Sequence, residues 1–427
     1  MNLLLSSRNA MRHVSILVLI GLLIVTTAAV IYSPQRVFAG GPIHGARAAG
    51  MGTAFIGVAD DPSAILHNPG GLAQVSGTHV YGGLSALTIH SEFVDPHGRE
   101  EETEFRIFTV PHGYVTSDLG FETLVFGIGV YSPFGIGGRE WSKTGLTRYL
   151  STKDMVGTVS VNPTVAWQAL PWLSVAAGID YMHAFVENER RLDQSMVLYG
   201  DARSRTEADG GGWGYNLGLL INVGNRIRVG LAYRSKIEVD FDGDLEIENI
   251  APGLQPLFGG AEFKSNVGTS STFPDIIGGG ISWMPTEKLL LDFDLEVVRW
   301  SSFDRQFLNI KREVPEAGIF DTTVPQDWDD SWQLKFGSEY WVSENFALRG
   351  GYAFIGQSVP EHTLGPANPD ANQHNFSVGL GYRTGKMTFD LFYNAGFFED
   401  RSIGNSIITG EFDSQTHAIG SSIGYRF

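Results

Sequence analysis

The chain has no cysteine in its 427 residues. That excludes a disulfide scaffold, a thiolate metal site and a thiol nucleophile. Positive charge is scarce: 30 Lys and Arg stand against 47 Asp and Glu, a formal net charge of −17. Nucleic acid is therefore an unsuitable partner, because phosphate binding needs a basic face. Long apolar runs are missing as well, apart from one between Val14 and Ile31. A polytopic helical membrane protein, which repeats runs of about 20 apolar residues, is excluded. What is abundant is 53 Gly together with 27 Phe, 14 Tyr and 9 Trp, a composition suited to β-structure with tight turns.

The single apolar run follows Arg8, Arg12 and His13 and precedes Val37-Phe38-Ala39. A basic start, an apolar core and small residues before the cut describe a secretory signal peptide. Residues 1–39 are read as that leader, cleaved between Ala39 and Gly40, and the protein as exported.

From Thr78 onward, segment after segment alternates with period two. Leu289, Leu291, Phe293, Leu295 and Val297 share one face, with Asp292, Asp294 and Glu296 on the other. Phe376, Val378, Leu380 and Tyr382 oppose Ser377, Gly379, Gly381 and Arg383 in the same way. Alternation of this kind marks strands with one apolar and one polar face. Short links, such as Ser117–Gly120, Pro285–Glu287 and Val342–Glu344, alternate with long ones, such as Gly135–Lys153, Asn188–Gly211 and Ser301–Asp330. Short turns at one end and long loops at the other fit an up-and-down barrel in a bacterial outer membrane. Counting between links gives about 14 strands, each with about 25 residues including its link, against the roughly 9–11 a spanning strand needs. Only a helix or a closed sheet satisfies every backbone group in lipid.

The expected fold is thus all-β: a transmembrane antiparallel β-barrel of about 14 strands over residues 78–427, with a small N-terminal helical hatch over 40–77 plugging the lumen. The hatch segment is rich in small residues and does not alternate, and so wide a lumen is not filled by its own side chains. Asp60-Asp61-Pro62 makes a helix start and Asn68-Pro69-Gly70-Gly71 a stop. By parity Asp292, Asp294, Glu296, Lys335, Glu339, Arg228, Arg234, Arg349, Arg383 and Arg426 face inward, as ion pairs holding wall and hatch.

The run GMGTAFIGVADDPSAILHNPGGLA, from Gly50 to Ala73, resembles the hatch of the outer-membrane long-chain fatty acid transporter family, which includes aromatic-hydrocarbon transporters. Val130-Tyr131-Ser132-Pro133-Phe134-Gly135, Phe273-Pro274-Asp275, Arg299-Trp300-Ser301-Ser302-Phe303-Asp304 and Trp332 through Tyr352 extend the similarity over the mature chain. The resemblance implies a fourteen-stranded barrel with a hatch, taking up hydrophobic molecules by diffusion. Its hatch motif is Asn-Pro-Ala, so Asn68 and Pro69 match while Gly70 departs. It also implies an inward kink in the third strand that leaves a lateral opening, for which Gly127 and Gly129 are candidates. A C-terminal strand ending in Phe427 resembles the signal read by the barrel assembly machinery.

The implied partners are a long-chain fatty acid or an aromatic or alkane hydrocarbon, with outer-membrane lipid and lipopolysaccharide around the barrel. Apolar residues in polar loops can mark a ligand groove. Phe134, Trp141, Leu146 and Tyr149 are capture candidates in one long loop, and Leu254, Leu257 and Phe258 in another. Arg139, Lys143 and Arg148 are candidates for meeting a carboxylate. No catalytic residue, cofactor or metal is expected. Gly420-Ser421-Ser422-Ile423-Gly424 lacks the helix and His that a hydrolase elbow needs. In Asp240–Glu246, Gly243 breaks the order of a calcium loop. Two other readings stay open: a porin for polar solutes and a lipid-modifying enzyme of the outer membrane.

Overall fold

The computed structural model describes residues 43–406 and 408–427. The leader and the cleavage point at Ala39–Gly40 lie outside the described residues. The wall is a closed barrel of 14 antiparallel strands. In chain order these are β1 (Thr78–Val94), β2 (Phe108–Ser117), β3 (Leu124–Tyr131, then Ile136–Glu140), β4 (Lys153–Leu170) and β5 (Leu173–Leu192). Next come β6 (Ala202–Val223), β7 (Ile227–Arg234, then Ile237–Glu248), β8 (Phe263–Phe273, then Ile276–Trp283) and β9 (Leu289–Val298). The last are β10 (Ser331–Trp341), β11 (Phe346–Ile355), β12 (Gln373–Thr384), β13 (Met387–Phe398) and β14 (Thr409–Arg426). Each pairs with its sequence neighbours, and β14 closes on β1 from His79↔Arg426 to Val94↔Glu411.

The strands are polar inside and apolar outside. On β9, Phe293 is 50% exposed while Asp292 and Asp294 on the opposite face are 1% and 0% exposed. The same inversion holds on β10, where Phe336 and Tyr340 face out and Lys335 and Glu339 are buried. A water-soluble domain buries such rings and solvates such charges, so the solvent of this outer surface is lipid. The alternation read from the sequence is thus the lipid–lumen alternation of a membrane wall.

Residues 43–77 lie inside the barrel. They form a short helix at Ala46–Gly50, another at Ala64–His67 and a 3-10 turn at Pro69–Gln74. The second helix begins later than the Asp60-Asp61-Pro62 signal implies, and between the two helices the N–H groups of Phe55 and Ile56 bond to a wall side chain, Asp294. Asn68 does more than stop a helix: its side chain accepts from Gly70 N at 3.1 Å and caps the 3-10 turn. The wall makes room for this segment with glycine. A Cβ on Gly351 of β11 would fall on the Met51 carbonyl carbon, and one on Gly218 of β6 on Gly70 N. An apolar core runs from Ile43 and Ala46 up into the loops, where it takes in Phe134, Phe273, Trp300 and Trp328.

If the outer face meets hydrocarbon, Phe293→Arg will cost about 2–4 kcal/mol near the bilayer midplane. Reversible unfolding in lipid vesicles measures this directly.

Candidate functional site

The hatch is tied to the wall nearly all the way round. Ser85 Oγ of β1 donates to Ile43 O at 2.8 Å, and Ala46 N donates to Ser422 Oγ of β14 at 2.9 Å. Phe55 N and Ile56 N both donate to Asp294 Oδ2 of β9, at 2.7 and 2.9 Å. Ser282 Oγ of β8 donates to Gly57 O at 3.1 Å, and Asn216 Nδ2 of β6 to Ile65 O at 2.9 Å. Arg47 grips Glu339 of β10 with two nitrogens, at 2.9 and 3.0 Å, and also pairs with Asp60. Arg228 of β7 reaches Asp60 at 3.2 Å and Val58 O at 3.0 Å. Burial opposes the charge on Asp60, yet Arg47 and Arg228 beside it hold its carboxyl below the ordinary range.

Of the inward charges expected as ion pairs, Glu339 also holds Arg349 at 2.7 Å, and Lys335 meets Glu296 at 2.6 Å. Arg234 pairs with Asp180 of β5. Arg383 instead lies over the Trp341 ring, 4.1 Å from its centroid, and Arg426 is exposed at the strand end.

The three expected hatch residues form one knot. Asn68 Nδ2 donates to Ile56 O at 2.9 Å and to Leu219 O of β6 at 3.1 Å. Pro69 opens the 3-10 turn. Gly70 lies so close to β6 that a Cβ would stand 2.8 Å from Leu219 N, which gives the departure from Asn-Pro-Ala a physical reason.

The ladder between β2 and β3 is incomplete. It runs from Ser117↔Phe126 to Gly113↔Val130 and stops. Beyond that point β2 pairs with β1 alone, and Ile136–Glu140 pairs with β4 alone. The two edges meet again where Glu104 N donates to Glu140 O at 2.8 Å and Arg106 Nε to Glu140 Oε2 at 3.0 Å. Between these points residues 107–112 and 131–139 are joined by no ladder, an interruption in the wall. Local chemistry makes it. Pro133 has no N–H, Gly135 takes φ 83°, and Ser132 O is held by His44 Nε2 at 2.7 Å. Phe134 turns inward onto Phe273, ring centroids 5.0 Å apart. Pro111 removes an N–H from the β2 edge.

Gly127 and Gly129 are elsewhere. Both are paired on each side, Gly127 with Thr116 and Thr164, Gly129 with Tyr114 and Asn162. Their lack of a side chain makes room instead, since a Cβ there would stand 2.9 Å from Ile65 Cδ1 and from Tyr114 Cδ1 respectively. The signal for the break was Pro133 with Pro111.

Among the loops is an apolar cavity of about 310 Å³ lined by Leu192, Val197, Ile247, Leu254, Leu257 and Phe258. It gathers all three capture candidates of the later loop. Those of the earlier loop are not among its lining residues: Phe134 flanks the wall break, and Trp141 is 1% exposed with Nε1 donating to Pro366 O at 3.0 Å. Leu146 packs against the apolar core. Tyr149 lies under Arg148, which pairs with Asp201 at 3.2 Å. Arg139 is buried with Nε on Ser91 Oγ at 2.8 Å, and Lys143 is exposed. None of these three cations lines the cavity. Leu192 and Ile247 were missed by sequence; they are the inward residues at the ends of β5 and β7.

The sequence model of the family described as outer membrane protein transport protein (OMPP1/FadL/TodX) matches residues 29–427. The chain belongs to that family. A long-chain fatty acid transport protein of Escherichia coli O6:H1 is 22% identical over 392 residues, covering 83% of this chain and 86% of that one. Outer membrane protein P1 of Haemophilus influenzae is 26% identical over 230 residues, 51% of this chain and 47% of that one. Among solved structures, a Pseudomonas aeruginosa FadL homologue superposes with a TM-score of 0.80 at 17% identity, over 90% of this chain and 98% of that one. The P. putida toluene transporter TodX does so with a TM-score of 0.73 at 16% identity, again over 90% and 98%. As a member of the OMPP1/FadL/TodX family, this chain is a multi-pass β-barrel of the bacterial outer membrane and a transport protein.

Two outcomes follow for the hatch. Arg47→Gln leaves Glu339 short of one partner and weakens hatch docking by about 3 kcal/mol, read as larger conductance in planar bilayers. Because the Asp60 carboxyl titrates below its unfolded value, its contribution persists above pH about 4 and is lost as pH falls further. Conductance of the unmodified protein is expected to stay low down to that pH and to rise below it.

Proposed function

We propose that this barrel takes up long-chain fatty acids or other hydrophobic compounds, aromatic hydrocarbons included, by passive diffusion. The ligand is captured in the loop cavity, passes the apolar core as the hatch rearranges, and leaves sideways into the bilayer through the gap between β2 and β3. The observation that carries this reading is the pairing of a filled lumen with an interrupted wall. Hydrogen-bonded hatch backbone obstructs a straight polar route to the periplasm, while the interruption opens at the level of apolar packing around Phe134. The relatives support the ligand class, since they include proteins named for long-chain fatty acid and for toluene transport.

Energetics support it as well. Each CH₂ leaving water gains roughly 0.8 kcal/mol, on the order of 12 kcal/mol for about fifteen. Such a ligand needs no pump; it needs a way past the polar sugar layer outside. Lipopolysaccharide surrounds the loops in this account. Phe427, 66% exposed at the end of β14, is the residue offered to the assembly machinery.

Uptake of radiolabelled oleate and of toluene by cells lacking the gene tests the reading. Loss of either supports it; unchanged uptake of both with reduced sugar permeation favours a porin. Phe258→Asp in the loop cavity is expected to lower uptake about tenfold at limiting ligand, from the roughly 1.5–3 kcal/mol that burying such a side chain is worth.

A further inference from the structure

Two imidazoles flank the inner edge of the wall break, and each has a buried nitrogen without a hydrogen-bond partner. His44 is the second described residue of the hatch; its Nε2 faces Ser132 O, within the interruption, at 2.7 Å. His112 is the last residue of β2 before the β2–β3 ladder resumes at Gly113. The rings lie edge to face, centroids 5.8 Å apart. They are 1% and 6% exposed, and Nδ1 of both is without a partner. Buried polar atoms are nearly always bonded, so two orphans side by side call for an explanation.

Their hydrogen-bond roles follow from the opposite ring nitrogens. His44 Nε2 bonds to a carbonyl oxygen and so carries the proton, leaving Nδ1 as an acceptor. His112 Nε2 accepts from Gly45 N at 3.3 Å and lies 2.9 Å from Ser422 Oγ. That nitrogen is the bare one, and Nδ1–H of His112 is a donor. Burial lowers the His44 pKa to about 4, in keeping with a neutral ring. Beside the pair, Tyr114 Oη is a third buried polar atom without a partner, its ring 6.0 Å from that of His112.

We propose that His44 and His112 form a binding site for the protonated head group of an amphiphile, a neutral carboxylic acid, at the inner edge of the wall break. An acceptor on one ring and a donor on the ring in edge-to-face contact with it match in kind the O–H and C=O of a carboxylic acid. A carboxylate, having only acceptors, would face the bare nitrogen of His44. A buried carboxylate would also bring an unpaired charge here, since Arg234, the cation on the far side of Tyr131, is already paired with Asp180. The site thus sorts head groups where the ligand turns towards lipid, and an alkane or toluene leaves both nitrogens unbonded.

This inference rests on the uptake reading above, and a ligand series separates the two. Cells producing the unmodified protein are supplied with oleic acid, methyl oleate and octadecene; methyl oleate keeps the C=O and lacks the O–H. Uptake of oleic acid is expected to exceed that of octadecene by roughly three- to tenfold per hydrogen bond formed, with methyl oleate between. In His44→Phe and in His112→Phe the acid-to-octadecene ratio within each variant falls towards one, whatever its absolute uptake, and His112→Asn restores part of the preference. Reading a ratio within one protein removes differences in folded amount. Octadecene uptake with no preference for the acid in the unmodified protein overturns the head-group site and leaves the channel reading standing. A preference that survives both Phe substitutions also overturns the site. Failure to take up all three ligands overturns the channel reading, and the site with it.

Discussion

In hydrocarbon every backbone N–H and C=O needs a partner from within the protein, and the rest of this molecule is organised by that demand. Fourteen strands meet it by closing into a ring, with β14 paired to β1 through most of its length. Closure has a geometric consequence: a ring this wide encloses space that wall side chains do not fill. The N-terminal segment fills it, and glycines at wall positions such as 218 and 351 let backbone lie against backbone.

At one place the ring is not closed by its own ladder, and other groups take over. Ser132 O is held by His44, Phe134 N donates to Thr158 Oγ1 at 3.2 Å, and Thr158 N donates to Gly135 O at 3.0 Å. The hatch therefore does two jobs. It occupies the lumen, and its first described residues hold the edge of the interruption. Arg234 ties the same parts together from the other side, bonding Tyr131 Oη at 2.9 Å and Leu66 O at 3.2 Å. Hatch and interruption thus share hydrogen bonds through His44 and Arg234.

The wall was legible in the sequence because strand parity admits two faces only. Phe293 beside Asp294 fixes which side is lipid without any knowledge of the neighbours. The hatch was legible as a segment, while its short helices were not, since Phe55 N and Ile56 N spend their hydrogen bonds on Asp294, more than two hundred residues away. Glycine misled at the third strand. In this barrel a glycine such as Gly127 reports close approach of the hatch, and it is the imino residues Pro111 and Pro133 that withhold N–H groups from the ladder. The loops were half legible. Leu254, Leu257 and Phe258 share one cavity, whereas Trp141 and Leu146 are apolar because loop packs on loop, a distinction that composition does not carry.

Sideways exit of ligand through the β2–β3 interruption is the proposed last step of transport. Tyr131 and Ile136 pair with Ser160 and Gly157 of β4, so β3 carries two more residues here than the strand it faces; deleting Pro133 and Phe134 makes the two equal, and removing an even number of residues keeps the inward and outward faces in phase. The measurement is uptake of oleate and toluene by cells carrying this deletion, with heat-modifiable electrophoretic mobility as the check that the barrel has formed. A formed barrel that takes up neither ligand is the predicted result. A formed barrel that takes up both at the unmodified rate would contradict sideways exit.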